Sequence, residues 1–143
     1  MPSKPALTVC MDANVLISAF AFGGIPIEIM LPIYERTIYH VTSRHILEET
    51  RRNLVVKLKA DEKKVAYFLT GLEELSILVV PTSKIKLIPH MADSKVLEAV
   101  ILGKCDVLVT GDKKHLLPLK TFQGVAIESP SHFLKRLNTL KGS

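Results

Sequence analysis

The chain has 143 residues, 48% of them hydrophobic, with a mean hydropathy of +0.27, a formal charge of +5 and a pI near 9.3. That supplies one packed core and excludes a disordered chain, while polar or charged residues interrupt every longer apolar run and exclude a membrane-spanning helix. A basic surface attracts polyanions, nucleic acid first among them, although charge alone argues about association and not about a particular activity.

The amino terminus, MPSKPALT, has no apolar signal core, so a cytoplasmic protein is expected. Leu7 to Ser18, LTVCMDANVLIS, then reads as a buried strand that delivers Asp12 at its carboxyl end. In open α/β sheets ligands bind at that edge. A short helix, 14–20, is broken by Gly23 and Gly24, and Pro26 opens a second helix over 27–36 that Pro32 should kink or shorten. A second strand at 38–41 is followed by Thr42 or Ser43 as a helix N-cap.

Apolar spacing predicts one helix over 44–59 and another, capped by Asp61, over 62–75, as a helical hairpin. A third strand at 77–80 ends at Pro81, and 83–89 is a lysine-bearing loop without a period. Asp93 or Ser94 starts a helix stopped by Gly103, and Asp106 to Thr110 is a fourth strand. One helical turn at 115–119, a short fifth strand at 125–127 and a last helix from Ser129 and Pro130 to about Leu140 complete the chain. The alternation predicts a single α/β domain on a parallel sheet, with Cys10 and Cys105 as buried thiols.

Two strands end alike, the first in Asp12 and the fourth in Thr110, Gly111 and Asp112. Asp93 opens the helix leading into the fourth strand, and Glu49 lies on the helix reached from the second. Each acid alone also fits a cap, a turn or a solvated face. Packed together, unit charges about 4 Å apart repel by about 4 kcal/mol at an effective dielectric near 20, which a divalent cation relieves. Oxygen ligands without paired His or Cys point to Mg²⁺ or Mn²⁺, and such a centre suits phosphodiester hydrolysis.

MDANVLISA, SRHILEETRRNL, DSKVLEAVILGKCDVLVTGDKKHLL and ESPSHFLKRL together resemble the PIN-domain family, nearest its VapC-like toxin branch. The resemblance implies a PIN-like three-layer fold with a central sheet of about five parallel strands, ordered 3-2-1-4-5 and flanked by helices. It further implies an Mg²⁺- or Mn²⁺-dependent ribonuclease acting on RNA, an antitoxin partner and a homodimer. Carried over by position, Asp12, Glu49, Asp93 and Asp112 match the family's catalytic, metal-holding acids. Glu48 competes with Glu49, and Glu49 fits better because one spacer follows the Ser-x-x-Ile-Leu pattern. Asn14 and Thr110 match polar neighbours that orient a carboxylate or a water, and Asp106 matches an acid that either supports the site or starts its strand.

The chain departs from the pattern before Asp93, where relatives carry paired acids and this sequence reads Pro89, His90, Met91, Ala92. Arg51, Arg52, Lys113 and Lys114 flank the acids and are the candidate phosphate contacts, giving affinity without sequence readout. Asn14 stands where an aspartyl-nucleophile phosphatase needs a second Asp, and no P-loop pattern exists. The alternative to the enzyme is a non-catalytic RNA- or partner-binding module with a weakened metal site.

Overall fold

The computed structural model describes residues 6–81 and 91–141, with only the backbone given for Met91, Ala92, Asp93 and Lys141. The expected loop at 83–89 and His90 lie outside the described residues.

Among the described residues six strands form one sheet: β1 (Thr8–Met11), β2 (Tyr39–Ser43), β3 (Ser76–Val79), β4 (Val107–Val109), β5 (Thr121–Phe122) and β6 (Val125–Glu128), ordered β3-β2-β1-β4-β6-β5. Five are parallel and follow the expected order, with β6 as the expected fifth strand. The sixth, β5, pairs antiparallel with β6 and corrects the expected count. Its two residues are too short to show periodicity. Gln123 and Gly124 join the pair at φ 48° and 85°, the positive values a two-residue primed hairpin turn requires.

Helices α1 (Ala13–Phe22), α2 (Ile25–Tyr34), α3 (Arg44–Arg52), α4 (Glu62–Glu74), α5 (Met91–Leu102) and α6 (Pro130–Lys141) flank the sheet. The central strands are wholly enclosed: Val9, Cys10, Met11, Leu108 and Val109 are fully buried, beneath Leu16, Ile33, Leu97 and Phe133 from four helices. A smaller cluster of Leu47, Leu54, Val65 and Leu69 joins α3 to α4 and makes the expected hairpin. Cys10 and Cys105 are free and buried, and burial pushes the Cys105 thiol up to about 12. Among the described residues no single helix is long and apolar enough to cross a membrane.

Helix α2 runs through Pro32 and ends two residues later, at Tyr34, short of the expected 36. Two local features differ from expectation. The helix expected over 44–59 stops at Arg52 and continues as a π turn, Asn53–Lys57, closed by the Leu58 N–H donating to the Asn53 carbonyl at 3.0 Å. At the end of α5 the left-handed position is Lys104, φ 52°, not Gly103. Cys105 N–H donates to the Val100 carbonyl and Lys104 N–H to that of Ile101, the paired bonds of a Schellman cap. Gly103 serves packing instead, since a Cβ there would stand 2.5 Å from Val41 Cγ1 on β2.

Candidate acidic site

The carboxyl edge of β1 and β4 is built by short, local bonds. Asp12 N–H pairs with the Val109 carbonyl at 2.9 Å, so the residue is still tied to the sheet as the chain turns into α1. Its ψ of 157° is that of an N-cap, and Oδ1 accepts from Ala13 N–H at 2.8 Å. Oδ2 accepts from the Thr110 hydroxyl at 2.8 Å and from Asn14 Nδ2 at 3.1 Å. Three donors thus fix the orientation of a carboxylate that is only 6% exposed.

Thr110 and Asn14 tie the two strand ends together. Asn14 Oδ1 accepts from Gly111 N–H at 2.8 Å, and Thr110 Oγ1 accepts from Asp112 N–H at 3.1 Å. Asp112 caps the turn that follows: its Oδ1 accepts from the Lys114 and His115 N–H groups at 3.0 Å each. No hydrogen bond to its Oδ2 occurs among the described residues. Both aspartates are therefore caps as well as site candidates, and a carboxylate's roughly four acceptor positions allow both uses.

Asp12, Glu49 and Asp112, carried by the junction of β1 and α1, by α3 and by the loop after β4, line one cavity of about 410 Å³. Asn14, Ile17, Asn53 and Val96 complete its wall. Glu48 points elsewhere: it takes a two-pronged hydrogen bond from Arg51, which holds its carboxyl below the usual range. Both residues line a separate groove between α3 and α4. Glu49 instead lies 3.8 Å from His45 Nε2, and burial first of all lowers the pKa of that imidazole. Asp93 is in the first turn of α5, three residues before Val96, and its side chain lies outside the described residues. No three Asp, Glu, His or Cys side chains among the described residues converge tightly enough to hold an ion by themselves.

Two of the expected residues lie away from the acidic cavity. Asp106 sits at the amino end of β4, the opposite edge of the sheet, where its Oδ2 accepts from Thr8 N–H at 2.9 Å and steadies the start of β1. It is the strand-start residue. Arg51 faces away from the acidic cavity and is engaged by Glu48, whereas Arg52, Lys113 and Lys114 are exposed. Asn53 was missed: its Nδ2 donates to the Glu49 carbonyl at 2.8 Å while the residue lines the cavity. His45, Glu49 and Asn53 are spaced by four, the signal that puts all three on one helix face.

A family model described as PIN domain matches residues 8–114. The fold is similar to that in the crystal structure of VapBC2 from Rickettsia felis bound to a DNA fragment from their promoter, with a TM-score of 0.62 and 13% sequence identity over 86% of this chain and 98% of that one. None of the curated proteins compared with the chain matches it.

Proposed function

The chain belongs to the PIN-domain family, and from that premise we propose that it is a cytoplasmic, metal-dependent endoribonuclease that hydrolyses phosphodiester bonds of RNA. One observation carries the reading: three carboxylates from three separate elements line a single cavity at the carboxyl edge of a parallel sheet. The donor set fits a hard divalent cation, Mg²⁺ or Mn²⁺, because the polar lining is entirely oxygen-bearing, without Cys or His, and Asp112 Oδ2 makes no bond within the described residues. Asp12, Glu49 and Asp112 would hold it, joined by Asp93 from the start of α5.

Bound there, such a cation supplies Lewis-acid polarisation of a phosphodiester and neutralises charge that develops on it. The rest falls to the chain. Thr110 and Asn14 fix the Asp12 carboxylate in one orientation, so it does not reorganise when substrate arrives. Arg52, Lys113 and Lys114 flank the cavity as phosphate contacts, which makes binding strongly salt-dependent and weakly sequence-dependent. The family and the fold likeness to a toxin–antitoxin complex support a toxin role with an antitoxin partner, and the assembly proposed with it is a homodimer.

A second reading, a non-catalytic RNA- or partner-binding module, is favoured by the absence of a closed acidic cluster among the described residues and by Met91 and Ala92 standing before Asp93. Calorimetric titration of Mn²⁺ into the wild type and Asp112→Asn, with cleavage of a mixed single-stranded RNA pool in parallel, separates the two. Binding and cleavage lost together in the variant support the metallonuclease. RNA binding without metal binding or cleavage in the wild type supports the module.

A further inference from the structure

A second cavity, of about 170 Å³, opens at the same carboxyl edge beyond β2 and β3. Arg44, His45, Lys95 and Glu98 line it with Val79 and Pro81. Glu98, on α5, is only 8% exposed, and among the described residues its carboxylate has neither a hydrogen bond nor an ion pair. Its carboxylate lines the cavity without a donor among the described residues, so both oxygens are available to donors brought by a ligand. His45 lines this cavity and also stands 3.8 Å from Glu49, which lines the acidic one. One side chain thus separates the two.

We infer that this cavity is a base-binding subsite that seats a guanine beside the cleaved phosphodiester, with Glu98 accepting from both donors of the base's Watson–Crick edge. The inference rests on the RNA-cleaving function proposed above. A carboxylate offers two adjacent acceptors and no donor. Guanine presents two adjacent donors, N1–H and N2–H, whereas adenine and cytosine present an amine beside an acceptor and uracil presents one N–H between two carbonyls. An arginine side chain carries the same paired donors, but Lys95 on the wall repels a cation and favours a neutral base on an anionic backbone. Val79 and Pro81 supply apolar surface for the ring faces. Single-stranded RNA is suited to this, because its unstacked bases expose those edges.

The test is fluorescence anisotropy of short single-stranded RNAs in EDTA, identical except for guanine, inosine, adenine, cytosine or uracil at one position, with wild type and Glu98→Gln. Inosine lacks the N2 amine and probes the contact without altering the protein. Guanine should bind about tenfold more tightly than inosine in the wild type, and Glu98→Gln should remove that difference. Equal affinities in the wild type, a preference surviving Glu98→Gln, or displacement by an arginine-bearing peptide with no guanine preference would each overturn the inference. Cleavage of the same RNAs with Mn²⁺ is scored separately. A guanine preference without cleavage sinks the nuclease reading and leaves the subsite standing.

Discussion

Replacing His40 by Gln removes a titrating group from the centre of the sheet. The imidazole is completely buried; its Nε2 accepts from Met11 N–H at 3.2 Å, and its Nδ1 lies 2.7 Å from Ser76 Oγ. Ser76 donates its own proton to the Leu72 carbonyl at 2.7 Å, so it receives one from Nδ1. The ring is therefore neutral, and a second proton would set an N–H against that of Met11. Burial pushes its pKa from 6.5 down to about 3. The unfolded chain binds a proton near 6.5 that the folded chain refuses, so His40's contribution is complete above that pH and is lost as pH falls toward 3. At pH 4.5, two units below the unfolded value, the loss is about 3 kcal/mol. Urea denaturation at about pH 7.5 and pH 4.5 measures it. His40→Gln should be less stable at the higher pH, having lost the Ser76 bond, yet its loss on acidification should be smaller by that amount. An equal loss in both proteins would refute the argument.

Thr110→Val preserves shape but removes the hydroxyl that donates to Asp12, a bond to a charged group worth about 1.5–3 kcal/mol; an unchanged urea midpoint would show that the bond holds nothing. Glu49→Gln should slow Mn²⁺-dependent RNA cleavage by at least about tenfold, while Glu48→Gln leaves the rate unaltered, and the opposite ranking in a single-turnover assay would exchange their roles. Gly103→Ala should destabilise by about 1–3 kcal/mol through overpacking against Val41. Val41→Ala in the same chain should recover part of that, and simple additivity of the two changes in thermal unfolding would deny the contact.

The parallel sheet was legible because short apolar runs alternate with helical stretches, which return each strand in one direction, whereas the order of the strands came from the family resemblance. The same direction bears on Asp106: it precedes Val107–Val109 and Asp112 follows them, so parallel strands must place the two at opposite edges of the sheet. The resemblance held that point open, and the geometry closes it. Glu48 and Arg51 are three apart on a helix, a spacing that pairs them and withdraws Arg51 from the acids. Nothing local, by contrast, announces that Gly103 lies beneath Val41, because that approach joins residues 62 positions apart and exists only once α5 packs on β2. Likewise the π turn follows an apolar pattern that an α-helix would satisfy equally well.

That widened turn has a consequence for how relatives should be aligned. A π turn accommodates one residue more than the α-helical spacing around it. The segment before it is anchored by Ser43 at the N-cap of α3, and the segment after it restarts at Asp61, which caps α4. A homologue one residue shorter between Glu49 and Asp61 can therefore superpose on both sides by running the helix straight through. A single gap at this point marks a change in helical gauge and leaves the acidic cavity's membership intact.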